Sequence, residues 1–91
     1  MTQDDLLRGI RAKKEDYIVL LTKKEGKVRA TDLYGLFSMR YKGTAIRTFL
    51  NEYLVALSYR REVVLQVDGQ GYWVYEPSVY ESEQANKVIT P

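Results

Sequence analysis

Cationic side chains are concentrated in one stretch of this chain, and they carry its most informative chemistry. Residues 8–61 hold 13 Lys or Arg against 5 Asp or Glu, a balance of +8, while the remaining residues hold 1 against 7, a balance of −6. The overall charge of +2 therefore averages a basic body with acidic ends. Clustered Lys and Arg raise the local potential and release condensed counterions on meeting a polyanion, so the pattern suits a nucleic-acid surface as well as an ordinary solvated one. Catalytic chemistry is thinner. The 91 residues contain no His and no Cys, which removes the commonest general base and metal ligand, thiolate sites, disulfides, and neutral-pH or thiol redox switches. Asp4-Asp5 and Glu15-Asp16 are adjacent carboxylates, but neighbours on a helix point apart and do not converge on a divalent metal. Asp68-Gly69-Gln70-Gly71 lacks the following helix that a phosphate-cradling loop needs. The expectation is a protein without catalytic activity, metal or cofactor.

The elements that must position the cations are legible from spacing. A chain of this length forms one domain with one small core. Thr2 followed by Asp5 resembles a helix-start box, and Leu6, Leu7, Ile10, Tyr17, Ile18 and Leu21 recur at helical spacing, as one helix or two. Tyr17, Ile18, Leu20 and Leu21 are read as facing the core, with Leu6, Leu7 and Ile10 extending beyond it. Gly26, after Lys23 and Lys24, stops the helix, and Lys27, Val28 and Arg29 form a short extended link. A second helix runs from about Thr31, as its cap, to Ser38, with Leu33, Leu36 and Phe37 at i, i+3, i+4. After the basic turn Met39–Gly43, the residues Ile46, Phe49, Leu50, Tyr53, Leu54 and Leu57 share one face of a third helix, about 44–58. Thr44, Arg47, Thr48, Asn51 and Val55 take its opposite face.

Beyond Arg60 and Arg61, read as the start of a strand, the period changes to two. Val63, Leu65 and Val67, then Tyr72 and Val74, alternate with their neighbours on either side of Asp68–Gly71, as in a β-hairpin. Pro77 ends the second strand, and the polar tail that follows is disordered or a weak helix with Val79, Tyr80, Val88 and Ile89 on one face. Eight tyrosines and one tryptophan raise base stacking as a possibility, but Tyr17 and Tyr53 fall on core faces and Tyr72, Trp73 and Tyr75 lie in strands. Trp73 is read as covering the hairpin against a helix.

Helix, extended link, helix, basic turn, amphipathic helix and glycine-tipped hairpin, in this order over about residues 13–76, resemble a winged helix-turn-helix domain. The fold class expected is α+β, with three helices followed by a β-hairpin wing and extra helical segments at the termini. Small domains of this kind are frequent among bacterial and archaeal transcription regulators and those of archaeal viruses and plasmids. The resemblance implies sequence-specific binding of double-stranded DNA, commonly as a homodimer, with the third helix in the major groove. There Arg47 can pair with guanine and Asn51 with adenine, while Thr44 and Thr48 touch phosphate or a thymine methyl. Arg40, Tyr41 and Lys42 precede that helix where phosphates run, and Gly43 meets a backbone requirement of the turn. The wing departs from the pattern: residues 62–76 contain Glu62, Asp68 and Glu76 but no Lys or Arg, leaving Gln70 and glycine amides at its tip and Arg60 and Arg61 at its base.

Three segments follow: an N-terminal helical extension at 1–12, the winged-helix domain at 13–76 and a C-terminal tail at 77–91. The apolar residues of both end segments suit homodimerisation. The alternative is a protein-interaction module on the same fold, which the acidic wing favours and the basic body opposes. The chain opens MTQDD, without a basic segment leading into an apolar run, and no stretch approaches a membrane span, so the expected location is the cytoplasm and no membrane partner is expected.

Overall fold

The computed structural model describes the backbone of residues 3–89 and the side chains of residues 8–86. The Thr2 helix-start box and the side chains of Leu6, Leu7, Val88 and Ile89 lie outside the described residues. The described residues are α+β, with four helices and one three-stranded antiparallel sheet among them.

A single helix, α1 (Gln3–Glu25), runs through Gly9 without a break and is about 34 Å long at 1.5 Å per residue. Gly26 ends it at φ +77°, and its N–H donates to the Thr22 carbonyl at 2.8 Å. Arg8 to Lys13 are all exposed, and of these Arg11 reaches back over the Tyr53 ring, so α1 begins beyond the body of the domain, whose principal extents are 57 × 24 × 20 Å. Ile18 is fully buried and Tyr17 and Leu21 half-buried, but Leu20 is 62% exposed. Two residues on from Ile18, Leu20 is turned about 200° around the helix, so both cannot face the core.

Lys27–Arg29, expected as a link, is a strand, β1, because it pairs with β3 and buries Val28 against Val74. The sheet order is β1-β3-β2, with β2 (Val64–Asp68) and β3 (Gly71–Tyr75) joined by a tight turn at Gly69 and Gln70. Asp68 Oδ1 accepts from the Gln70 N–H at 2.8 Å, and Gly71 takes φ +120°. The second helix, α2 (Ala30–Arg40), starts directly after β1, so Arg29 occupies the cap position without a side-chain cap and Thr31 lies inside the helix. Leu33 and Phe37 are buried, and Leu36 sits at the surface.

The third helix, α3, is continuous through three pieces, Ile46–Thr48, Phe49–Leu54 and Val55–Tyr59, the middle one with the wider i→i+5 bonding of a π-helix. Phe49, Tyr53, Leu54 and Leu57 point inward from it, as their helical spacing requires. Ile46, the first residue of the helix, is left at the rim, partly exposed rather than in the core. The core centres on Phe37, whose ring lies 5.1 Å from Phe49, 5.4 Å from Tyr41 and 6.3 Å from Tyr53. The tail is helical, α4 (Pro77–Ile89), and its Val79 and Tyr80 pack back onto the domain. Tyr80 meets Tyr75 edge-on at 5.3 Å, Val79 packs beside Gly26, and the Glu76 N–H donates to the Gly26 carbonyl at 2.8 Å. Among the described residues no helix is long and apolar enough to cross a membrane.

Candidate nucleic-acid interface

The turn from α2 to α3, residues 41–45, is held by side chains from both preceding helices. Gly43 takes φ +90°, a conformation costly for a residue with a Cβ, as the sequence required. Thr44 is not on the outer face of α3. It precedes the helix and is 9% exposed, its carbonyl accepting from the Tyr34 hydroxyl at 2.6 Å and its Oγ1 from Lys14 Nζ at 3.3 Å. A residue with both polar groups spent inward is a brace for the turn. Tyr41 is likewise half-buried, stacked on Phe37 and edge-on to Tyr17 at 5.7 Å. Arg40 is the last residue of α2, and its guanidinium lies 5.0 Å over the Tyr17 ring and 5.7 Å from that of Tyr41.

Three of the expected residues keep their side-chain polar groups unspent. Lys42, Arg47 and Asn51 are exposed, and their side chains make no hydrogen bond or ion pair with any described residue. Arg47 and Asn51 are four apart on α3, so they stand one above the other on its outer side, followed by the exposed Val55. Thr48 is half-buried at the edge of that face.

Arg60 and Arg61 lie in the turn after α3, short of β2, rather than at the start of a strand. Arg60 donates to the buried Glu15 at 2.5 Å and to Glu62 at 2.9 Å, and those bonds, Glu15's the larger, raise its affinity for its proton further. A guanidinium committed to two carboxylates is a structural tie. Arg61 has φ +60° and lines a groove with Val64, Pro77, Tyr80 and Glu81, between β2 and α4.

The wing tip is closed on itself by Arg29, which no spacing argument singles out because its partners become neighbours only through the β1–β3 register. Arg29 donates to Asp68 at 2.9 Å and to Gln70 at 3.4 Å and lies 4.1 Å over the Trp73 ring. Its hydrogen bond holds the Asp68 carboxyl below the usual carboxylate range, and Asp68 in turn raises the Arg29 guanidinium. Lys27 stands 4.5 Å over the same ring, so two cations sit on half-buried Trp73, for which a helix was expected as cover. Hydrogen bonding to Tyr75 is the main cause that raises the Lys27 ammonium. Among the described residues no three His, Cys, Asp or Glu side chains gather as a metal site.

Lys14 is the contributor that sequence reading passed over: it is half-buried on α1, and its bond to Thr44, 30 positions on, is visible only once the turn before α3 is in place. No protein-family model, curated protein or solved structure matches the chain.

Proposed function

We propose that this chain is a winged helix-turn-helix domain that binds duplex DNA sequence-specifically in the cytoplasm, as a homodimeric transcription regulator. The observation that carries the reading is the trio Lys42, Arg47 and Asn51, exposed and unspent on the turn and outer side of α3. The inner side of that helix is fixed by Phe49, Tyr53, Leu54 and Leu57. The element order and the β1-β3-β2 sheet support the fold assignment. In the major groove, Arg47 presents two parallel donors to guanine O6 and N7, and Asn51 a donor and an acceptor to adenine. Lys42 meets phosphate beside them, fixing register without reading sequence.

A second reading, an interaction module for a protein partner, is favoured by the wing. Its tip is acidic, and Asp68 and Gln70 are already bonded to Arg29, which makes it a poor phosphate ligand. Anisotropy of a labelled duplex of about 30 base pairs, titrated at roughly 50 and 200 mM salt, separates the two. The DNA reading expects binding that weakens steeply with salt. It also expects Arg47→Ala to weaken binding to a selected site by about 5- to 150-fold, the equivalent of a 1–3 kcal/mol base contact. A folded protein that binds no duplex at the lower salt refutes it and favours the second reading.

A further inference from the structure

We infer that a second copy of this chain docks along the outer face of α1, antiparallel and related by a two-fold axis, with Ile10 opposite Leu20 and Lys13 opposite Tyr17. This gives the homodimer of the preceding reading a face and a register, and rests on that reading only for the number of copies; it does not require DNA. The outer face of α1 carries Ile10, 43% exposed, and Leu20, 62% exposed, with exposed Lys13 and half-buried Tyr17 between them. Their spacings of three, four and three residues are those of alternating a and d positions in a heptad.

The numbering then selects one arrangement. Ile10 and Leu20 lie five residues on either side of residue 15, and Lys13 and Tyr17 lie two on either side. One two-fold axis passing residue 15 therefore satisfies both pairs at once, each an a position facing a d position of the other copy. Charge fits the same register. Lys13 and Asp16 are exposed and form no ion pair with any described residue. In the antiparallel pair each Lys13 ammonium reaches the other copy's Asp16 carboxylate, a salt bridge across the two-fold axis, beside a Tyr17 ring already covered by its own Arg40.

The face also offers a place for the partner's apolar side chain. A groove of about 390 Å³ opens along it, lined by Lys13, Asp16, Tyr17, Leu20, Arg40 and Tyr41. Ile10 of the second copy, opposite Leu20, stands at its mouth. Competing apolar surfaces fit a self-pairing less well. Val79 and Tyr80 are used inside the domain, and Leu36 and Met39 on α2 are bordered by Glu25 and Asp32, which would meet their own like charges.

The chain has no cysteine, so disulfide trapping reads the register without background. An equimolar mixture of Ile10→Cys and Leu20→Cys, oxidised without DNA, is expected to give a covalent dimer of one copy of each by mass spectrometry. Each variant alone is expected to stay uncrosslinked, since its two cysteines would sit about 15 Å apart along the helices, beyond the roughly 7 Å Cα limit of a disulfide. Leu20→Glu, at a position too exposed to unfold the domain, is expected to leave a folded monomer in sedimentation. A wild-type protein that is monomeric at tens of micromolar, crosslinking of either variant alone as readily as the mixture, or a Leu20→Glu dimer each overturns the interface. Anisotropy on the same samples keeps the two readings apart: crosslinking as expected with no duplex binding removes the DNA reading and leaves this interface standing.

Discussion

Replacing Tyr34 by Phe removes one oxygen from the back of the turn before α3, and the structure sets what that oxygen is worth. The hydroxyl donates to the Thr44 carbonyl at 2.6 Å, and Thr44 is almost entirely buried. The ring itself stays anchored by its edge contact with Phe49 at 5.3 Å, so the substitution deletes the bond with little change in packing. A buried carbonyl left without its donor costs about 1–3 kcal/mol, and the nearness of solvent to this turn favours the lower half of that range. For a domain of this size each kcal/mol moves the melting temperature by about 4–8 °C, so Tyr34→Phe is expected to lower Tm by roughly 5–15 °C. Thermal melts by circular dichroism measure it, and urea titration is expected to give an unchanged m value because the exposed surface on unfolding is the same. Duplex affinity is expected to fall while its salt dependence stays at the wild-type slope, since no phosphate-facing cation is removed. A Tm within roughly 1 °C of wild type would refute the assignment of this bond as the brace of the turn.

Phe37→Ala removes the ring around which Phe49, Tyr41 and Tyr53 gather. The expected loss of about 3–5 kcal/mol is a large share of the total stability of a domain this small, and a cooperative Tm within a few degrees of wild type would contradict the placement of the core. Acid is expected to open the wing before it unfolds the domain. Asp68 is held below its unfolded value by Arg29, so its contribution is complete above about pH 3.9 and is lost as the pH falls through the lower folded value. Trp73 is the only tryptophan and lies under Arg29, so its fluorescence is expected to change in that window, and Asp68→Asn to show the acid-form signal already at neutral pH. A fluorescence profile flat down to global acid unfolding would count against the Arg29–Asp68 clasp.

Element order was readable because α3 and the hairpin declare their periods outright, Phe49 through Leu57 at helical spacing and Val63 through Val74 in alternation. β1 was not readable as a strand. Three residues carry too little period of their own, and their strand character comes from hydrogen bonds to β3, more than forty positions away. The same distance hides Arg29, whose three partners all lie on the hairpin. Arg47 and Asn51 were legible because polar residues opposite an apolar helical stripe have nowhere else to point, and Lys42 from its place in the basic turn before that helix. Thr44 was misplaced by the same rule, since it lies two residues before the helix begins and obeys the geometry of the turn. Arg60 looked available because sequence shows its charge and not the buried Glu15 that claims it, 45 positions upstream.

One turn of α1 governs how α3 is presented. Lys14 holds Thr44 just before α3, Arg11 lies 5.2 Å over Tyr53 and 4.0 Å from Glu52 in its middle, and Glu15 takes Arg60 just past its end. Exposed ion pairs are individually worth little, but these span the length of one helix, and Glu15 is itself buried. Arg11, Lys14 and Glu15 share the inward face of α1, while Ile10, Lys13 and Leu20 share the outward one. A second copy docked on that outward face would therefore be coupled to both α3 helices through a single rigid element, with no linker between the two-fold axis and the α3 side chains proposed to read DNA. In such an assembly the spacing of DNA half-sites, about one helical turn for two-fold readers of this kind, would be set by the register of α1 against its copy. Changing that register, rather than any residue of α3, is then the route by which this chain would come to prefer a different half-site spacing while reading the same bases.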